Sequence, residues 1–263
     1  MNNYKFEKTT NDAVSELREE YLMSLTDPID GMWTTFVMMS DQYMIITGDK
    51  KVGYCSINEE HKVLQFYAIN DQDYIYAKML EELDVKGAVV GTNEQHHLSL
   101  SMDNQKSVSV NALLYQCEEG IELIEANFPD GLDFRNVTVN ELQTAVNFAV
   151  SAIGAPEGWL QGYYAERIKG GELIGLWDGS NLIATGECRP SAVQKPYADL
   201  GMVVSPDHRQ KGLATEILRE MLHNCRAGSL KPICSTESGN IGARKAITNA
   251  GFTSHLRILD VSF

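Results

Sequence analysis

Long hydrophobic runs are missing from the 263-residue sequence, and no stretch approaches the roughly 18 consecutive apolar residues typical of a membrane-spanning helix. The N-terminal residues Met-Asn-Asn-Tyr-Lys-Phe-Glu-Lys are polar and lack the apolar segment of a secretory signal peptide. Cysteine is sparse, with five scattered residues and no Cys-x-x-Cys pair, so we expect reduced thiols, most of them in the core. These absences predict a cytoplasmic protein without a membrane partner.

Positive charge is also scarce, with 22 Lys and Arg against 36 Asp and Glu and a net charge of −14. This balance argues against nucleic acid as a partner. The charge is uneven, because residues 1–134 hold 9 basic and 24 acidic side chains whereas residues 135–263 hold 13 and 12. An anionic ligand is therefore expected to bind in the second half, which is close to neutral.

Two common phosphate-binding loops are absent, since the sequence contains neither G-x-x-x-x-G-K-S/T nor G-x-G-x-x-G. A different strand–turn–helix pattern is present in the second half. The apolar run Leu200–Val204 predicts a strand, a Ser-Pro-Asp segment ends it, and helical spacing predicts a helix from Leu213. Gly212 allows close approach of the backbone to a ligand, and Arg209 and Lys211 add positive charge. The pattern predicts a pyrophosphate at a helix N-terminus, and the alternative is an ordinary turn with solvated basic residues.

Three motifs in this region resemble those of the GNAT superfamily of acyl-CoA-dependent N-acetyltransferases. Arg209-x-x-Gly212-x-Ala214 resembles the superfamily's Q/R-x-x-G-x-G/A pattern, and the V-x-P-x-x-R segment that begins at Val204 precedes it. Farther along, Asn240-x-x-Ala243 and Gly251-Phe252 resemble the N-x-x-A and G-F segments in the same order and at similar spacing. The resemblance covers residues 135–263, about half of the chain.

The resemblance implies an α/β fold of the α+β type, in which helices flank a mixed, mostly antiparallel sheet. It also implies acetyl-CoA as co-substrate, with its pantetheine in the gap between two splayed strands, here 198–204 and 232–236. Asn240 would hydrogen-bond the pantetheine arm, although it is equally suited to cap the next helix. The acetyl-CoA-binding residues that the resemblance implies are Met202, Val203, Val204, Arg209, Gln210, Lys211, Gly212, Leu213, Ala214, Thr215, Asn240 and Ala243.

The chemistry implied by the resemblance is direct attack of a neutral amine on the thioester, which needs a general base and a donor for the oxyanion. Asp199 and Glu187 are the main candidates for the base, and Glu237 is a third. Each of them is equally compatible with a polar position on a sheet face. A backbone N–H near Val203 or Val204 is the candidate oxyanion donor.

Several other side chains depart from the family or leave two interpretations open. Many family members carry a tyrosine where this sequence has Ile247, so the CoA thiolate must take its proton from another group or from water, or leave unprotonated. Trp159, Tyr163 and Tyr164 lie on a predicted helix, where they either line an acceptor pocket or belong to the core. His96-His97 falls in a strand-like run, so the two side chains face opposite ways and no metal site is expected.

The first half shows the same order of elements as the second. Helical spacing at 11–25 and 71–83 alternates with strand-like runs at 43–47, 52–57, 63–69, 87–90, 98–102 and 108–115. We interpret the chain as two GNAT-like domains in tandem, the first degenerate, because Asn70–Tyr76 has no Gly and is rich in carboxylates that would repel a pyrophosphate. The alternative is an unrelated α+β domain. The predicted boundaries are 1–120 for the first domain, 121–134 for a linker and 135–263 for the catalytic domain.

The function predicted from these motifs is transfer of an acetyl group from acetyl-CoA to the amine of a small molecule, by a monomer or homodimer. The acidic first half favours a cationic acceptor, since a negative field attracts cations. The alternative is a non-catalytic acetyl-CoA-binding module whose acidic first half binds a partner. The sequence does not identify the acceptor or the length of the acyl chain.

Overall fold

The computed structural model describes residues 3–118 and 120–263. In chain order its strands are β1 (Tyr4–Thr9), β2 (Asp41–Thr47), β3 (Lys50–Ile57), β4 (Lys62–Ala68), β5 (Gly87–Gly91), β6 (Ser107–Gln116), β7 (Leu132–Asn136), β8 (Leu173–Asp178), β9 (Asn181–Pro190), β10 (Tyr197–Val204), β11 (Lys231–Glu237) and β12 (Thr253–Ser262). The helices are α1 (Ser15–Met23), α2 (Gly31–Met39), α3 (Gln72–Glu82), α4 (Gln95–Asp103), α5 (Leu142–Ile153), α6 (Glu157–Lys169), α7 (Leu213–Ala227) and α8 (Ile241–Asn249). No described helix is both long enough and apolar enough to cross a membrane.

The chain forms two compact units. Unit 1 comprises Met1–Leu114 and His255–Phe263, and unit 2 comprises Tyr115–Ser254. The last strand, β12, pairs antiparallel with β5 of unit 1, with Ile258 opposite Gly91 and Ser262 opposite Gly87. The division made from the sequence places this strand in the second domain, whereas in the structure the chain returns to the first sheet after α8.

Unit 1 is a sheet in the order β1-β2-β3-β4-β5-β12-β6, in which β4 and β5 are parallel and the β1–β2, β2–β3, β3–β4 and β5–β12 pairs are antiparallel. Because side chains alternate between the two faces of a strand, adjacent residues enter different cores. Val63 and Ala88 pack with α3 and α4 on one face, whereas Leu64 and Val89 pack with α2 on the other. Unit 1 therefore has helices on both faces of its sheet.

Unit 2 is a sheet in the order β11-β10-β9-β8-β7, in which only the β10–β11 pair is parallel. The helices α5 and α6 cover one face and bury Tyr164 and Leu173. On the other face α7 lies so close to β9 that a Cβ on Gly186 would approach Met221 Sδ to 2.9 Å and Ile217 Cγ2 to 3.0 Å. The predicted mixed, mostly antiparallel sheet flanked by helices is confirmed.

Four segments differ from the predicted elements. The run 98–102 is part of helix α4 and not a strand, so the prediction that His96 and His97 lie on a strand is wrong. On this helix His97 is buried and His96 is exposed. The strands β1 and β7 and the helix α2 were not predicted. The α2 sequence is rich in Thr, Val, Trp and Phe, which favour strands, and the helix begins because Asp30 caps the N–H of Trp33 at 2.9 Å.

Candidate functional site

The strands β10 and β11 are paired over three positions only, from Tyr197 opposite Lys231 to Asp199 opposite Ile233. β10 then runs on to Val204 and β11 to Glu237, and no further pairing joins them within the described chain. β10 remains paired with β9 on its other side throughout. An open backbone edge is therefore present on β10 where the two strands separate, as the family resemblance implied for strands 198–204 and 232–236.

The alternation of backbone groups along β10 identifies which residues face this gap. The N–H of Ser205 donates to Ile183 on the β9 side, whereas the carbonyl of Pro196 accepts from Lys231 on the β11 side. Odd-numbered residues therefore direct their backbone groups to β9, and even-numbered residues direct theirs to β11. The N–H groups of Met202 and Val204 face the gap, whereas that of Val203 faces β9.

The loop between β10 and α7 presents a series of unpaired amides. From Gln210 to Ala214, no backbone N–H donates to an acceptor in the part of the chain that the structure describes, and the first internal bond joins the N–H of Thr215 to the carbonyl of Gly212 at 2.9 Å. Gln210 and Gly212 both have left-handed backbone conformations, with φ of +62° and +84°. Consecutive amides in such a turn, at the positive end of a helix, form a concave anion site.

Gly212 is required by this geometry for two reasons. Its φ of +84° is strained for any residue with a side chain, and a Cβ at this position would meet no atom within 4 Å. The space above it is therefore free for a ligand. Lys211 and Gln210 beside it are exposed, so their side chains can also reach a bound anion.

The Arg209 side chain is engaged within the protein. Its Nε donates to the carbonyl of Val204 at 3.1 Å, and its Nη2 donates to the carbonyl of Ala152, at the end of α5, at 2.9 Å. Arg209 thus ties the loop to β10 and to α5. This arrangement assigns it a role in shaping the anion site, alongside the ligand contact predicted from the sequence.

Leu213 and Thr215 of the predicted acetyl-CoA site can contribute only main-chain atoms, whereas Asn240 also offers a side chain. Leu213 and Thr215 are buried, and Thr215 Oγ1 contacts the carbonyl of Ala246 at 3.4 Å. Asn240 caps α8, because its Oδ1 accepts the N–H of Ala243 at 3.1 Å. Its side-chain amide N–H groups remain available to a ligand. Ile247 is buried in α8, so the position of the family's usual tyrosine offers no proton donor.

A buried network of charged residues lies where β10 and β11 begin to separate. Arg189 on β9 forms ion pairs with Glu187, at 3.2 Å, and with Asp199 of β10. Tyr163 of α6 donates its hydroxyl proton to Glu187 Oε2 at 2.6 Å and accepts from Arg189 at 2.7 Å. Burial would lower the pKa of Arg189, but Asp199 and Glu187 outweigh it and raise that pKa, so the guanidinium stays charged. Burial raises the pKa of Tyr163 well above its usual range.

The two carboxylates of this network differ in what they can still do. Both Arg189 and Tyr163 bond to Oε2 of Glu187, and no described residue donates to its Oε1. Asp199 is more deeply enclosed, with 5% of its side chain exposed against 11% for Glu187. Gly201 lies opposite Glu187 on β10, and a Cβ there would lie 3.8 Å from Glu187 Cβ and 3.7 Å from Arg189 Nη2. Glu187 therefore keeps one carboxylate oxygen without a donor among the described residues, whereas Asp199 is more enclosed.

The remaining candidates fall into different environments. Tyr164 is a core residue, whereas the exposed ring of Trp159 stacks on Tyr163 at 4.5 Å. Glu237 is exposed at the end of β11. His208, which is not among the predicted site residues, lies with its Nδ1 2.7 Å from Ser205 Oγ, in the turn that precedes the loop. Trp159 and Tyr163 thus flank the charged network, whereas Tyr164 belongs to the core.

Unit 1 has a parallel pair that separates in the same way but no comparable loop. β4 and β5 pair only at Lys62 and Val63, and three residues, Ile69 to Asp71, connect β4 to α3. Asp71 has a left-handed backbone, accepts a hydrogen bond from Tyr4 at 2.5 Å and precedes α3 directly, with Asp73 in the first helical turn. These carboxylates lie at the positive N-terminal end of α3, where a pyrophosphate would have to bind.

Comparisons with known proteins agree with this geometry. The protein-family model described as "Acetyltransferase (GNAT) family" matches residues 142–252, and a second family model, described as "Acetyltransferase (GNAT) domain", matches residues 10–118. A solved acetyltransferase of the GNAT family from Colwellia psychrerythraea is 33% identical, with a TM-score of 0.91 and 99% of each chain covered. No curated protein matches the chain.

Two more distant structures share the fold over nearly the whole chain. A GCN5-related N-acetyltransferase from Sphaerobacter thermophilus has 12% identity and a TM-score of 0.71, and covers 98% of this chain and 94% of its own. A tandem GNAT protein from the clavulanic acid biosynthesis pathway has 12% identity and a TM-score of 0.69, and the match covers 99% of this chain and 98% of that protein's chain.

The fold, the two family matches and the close relative define the class of this protein as a tandem GNAT protein. The chain belongs to the GNAT family and is an acyl-CoA-dependent acetyltransferase. The interpretation of the first half as a second GNAT domain is confirmed, and the alternative of an unrelated α+β domain is wrong. Enzymes of this family use acetyl-CoA.

Arg189 and Tyr163 are the parts of the site that sequence reasoning missed or left open. Arg189 directly precedes Pro190, and the sequence analysis assigns its side chain no role. The one available signal was the two-residue spacing of Glu187 and Arg189, which places both side chains on the same face of a strand.

Proposed function

We propose that unit 2 transfers an acetyl group from acetyl-CoA to the amine of a small molecule. The observation that carries this proposal is the series of unpaired amides from Gln210 to Ala214, which ends at the N-terminus of α7 beside two separating strands. A diphosphate fits the amides, and an extended pantetheine fits the open edge of β10. The exposed Lys211 and Gln210 and the free amide of Asn240 add contacts to the same ligand.

Placement of the thioester follows from the direction of the backbone groups. With the pantetheine along β10, the N–H groups of Met202 and Val204 point at it, so one of them is the donor to the carbonyl oxygen of the thioester. A preorganised N–H donor stabilises the oxyanion that forms when the amine attacks. Val203, the other candidate from the sequence, directs its N–H to β9 and instead keeps β10 in the sheet.

Glu187 is the proposed general base. No residue that the structure describes donates to its Oε1, while Tyr163 and Arg189 hold its Oε2 and fix the orientation of the carboxylate. The amine loses a proton to Glu187, directly or through one water, and its lone pair then attacks the carbonyl carbon. The C–S bond breaks as the tetrahedral intermediate collapses. Because Ile247 offers no proton, the CoA thiolate takes its proton from water or leaves as the anion.

A cationic acceptor is favoured by the charges within unit 2. Glu187, Asp199 and Arg189 together carry a net charge of −1 when all three are ionised, and the stacked rings of Trp159 and Tyr163 form an aromatic wall beside them. A protonated amine is attracted to such a site and is neutralised there before it attacks. We therefore propose a small amine without a negatively charged group as the acceptor.

Unit 1 is proposed not to bind acetyl-CoA. The three-residue connection before α3 cannot provide five consecutive amides, and Asp71 and Asp73 would repel the diphosphate. The chain should therefore bind one CoA, in unit 2.

The test is an acceptor screen with acetyl-CoA in which release of free thiol is followed together with the mass of the acetylated product. Cationic and anionic amines of equal size are compared at low and high salt, because attraction between charges weakens with ionic strength. Transfer to at least one cationic amine, with a lower rate for its anionic counterpart, is expected. Tight binding of CoA without transfer to any amine would instead favour the non-catalytic alternative.

A further inference from the structure

Two cysteines of unit 2 lie in contact on the face of its sheet that α7 covers. Cys188 belongs to β9 and Cys225 to α7, and their Sγ atoms are 3.5 Å apart. No disulfide joins them in the structure. They are 37 residues apart in the sequence, so the contact depends on the packing of α7 against the sheet. The acetyl transfer proposed for unit 2 uses neither thiol.

Close packing of α7 on β9 produces this contact. Gly186 and Cys188 are two residues apart on β9 and therefore share a face of the sheet. Met221 and Cys225 are four residues apart on α7 and therefore share a face of the helix. A Cβ on Gly186 would approach Met221 Sδ to 2.9 Å, so the missing side chain allows the helix to lie close to the strand here. The positions of both thiols are thus set by the packing of the core.

The two sulfur atoms are close enough for a covalent bond to form with a small movement. A disulfide joins its sulfurs at about 2.05 Å, so these atoms must approach each other by about 1.5 Å from their separation of 3.5 Å. The bond would link β9, which carries Glu187 and Arg189, to α7, whose N-terminus follows the loop of unpaired amides. It would therefore connect the two parts of the candidate site from behind the sheet.

The two thiols differ in access and in acidity. Cys188 is partly exposed, whereas Cys225 is fully buried. The hydrogen bond from the Cys225 thiol lowers the pKa of Cys188, although burial opposes this shift. The same contact, together with burial, raises the pKa of Cys225. Because the thiolate is the reactive form of cysteine, an oxidant from solution meets Cys188 first, and Cys225 is placed to react second.

We propose that Cys188 and Cys225 form a site of reversible oxidation, at which a peroxide converts the two thiols to a disulfide. The Cys188 thiolate attacks one oxygen of hydrogen peroxide, the O–O bond breaks, and hydroxide leaves as the Cys188 sulfenic acid forms. Cys225 then gives up its proton, its sulfur attacks the Cys188 sulfur, and the S–O bond breaks with loss of a second hydroxide. Each hydroxide takes up a thiol proton to become water. The thiols lose two electrons and the peroxide gains them.

The test uses the full-length protein and a small molar excess of hydrogen peroxide. The remaining thiols are blocked with N-ethylmaleimide under denaturing conditions, and trypsin then places Cys188 and Cys225 in different peptides. Mass spectrometry is expected to detect these two peptides joined by a disulfide, which dithiothreitol should reverse. The oxidised protein should also unfold at a higher temperature than the reduced protein, because the bond restricts the unfolded chain.

Two variants locate the reaction. Cys225→Ser removes the second thiol, so oxidation of Cys188 should stop at the sulfenic acid, which dimedone labels. Cys117→Ser is the matched control, because Cys117 is another partly exposed cysteine of unit 2. This control should form the disulfide between Cys188 and Cys225 as the wild-type protein does.

Three results would each overturn the proposal. Both thiols of the peroxide-treated protein could remain open to N-ethylmaleimide, or Cys225 could be joined to Cys117 or to a second molecule. The oxidised protein could also unfold at a lower temperature than the reduced protein, which would show that the bond forms only in a distorted chain. If Cys225→Ser does not fold, Cys188→Ser replaces it, and Cys225 should then stay a thiol after peroxide treatment because it is buried.

Discussion

Replacement of Gly212 by alanine should separate the anion site from the stability of the fold. Gly212 has a φ of +84°, and a Cβ added there meets no protein atom within 4 Å. The left-handed conformation costs an alanine about 1 kcal/mol relative to glycine, so a small loss of stability is expected. The Cβ would also stand in the space where the diphosphate approaches the amides.

The effect on CoA binding can be bounded from the hydrogen bonds at risk. A hydrogen bond to a charged group contributes about 1.5–3 kcal/mol, so loss of one such bond weakens CoA binding by roughly 10-fold to 150-fold. Isothermal titration calorimetry with CoA measures this directly. Thermal unfolding of the same samples measures the cost of the backbone strain.

Gly179→Ala is the matched control for this experiment. Gly179 lies in the turn between β8 and β9, has a φ of +57°, and a Cβ there also meets no atom within 4 Å. The two variants should lose similar stability, whereas only Gly212→Ala should lose CoA affinity. Equal CoA affinities in the two folded variants would refute the assignment of this loop as the diphosphate site.

Three further variants test other parts of the structure. Glu187→Gln should lower kcat/KM by about 10²–10⁴-fold with CoA affinity unchanged, as expected on loss of a general base. Asp199→Asn should lower kcat/KM by a smaller factor. Steady-state kinetics in which Asp199→Asn lost more activity than Glu187→Gln would contradict the role of Glu187. The folded-state pKa of Glu94 is raised from 4.5 to about 7, so its contribution to stability is present below pH 4.5 and is lost as the pH rises to 7. The free energy of unfolding of the wild-type protein, measured by denaturant titration, should therefore fall by about 3 kcal/mol relative to that of Glu94→Gln over this pH range. If the two proteins instead show the same dependence of unfolding free energy on pH, burial does not raise the pKa of Glu94. Asn240→Ala should cost about 1 kcal/mol of stability through loss of the α8 cap and should also weaken CoA binding, whereas a loss of stability alone would limit Asn240 to capping.

The sequence by itself determined most of the elements of unit 2 and the location of the loop between β10 and α7. Glycine at position 212, the helical spacing after Leu213 and the distance to Asn240 are local or nearly local patterns, and local patterns are what periodicity and turn chemistry reveal. The acidic residues after β4 likewise distinguished the first domain from the second. Local patterns failed at α4, where alternating Leu and Ser residues favoured a strand although the buried residues lie at helical spacing.

Only the tertiary structure decided which side chains share a site. Arg189 and Asp199 are ten residues apart and meet because β9 and β10 pair in one antiparallel register, and Tyr163 reaches them from α6. The same register directs the N–H of Met202 and Val204, but not that of Val203, into the gap. The return of β12 to the first sheet also depends on contacts between distant segments. Local sequence patterns do not reveal these contacts, because strand register and packing depend on the whole sheet.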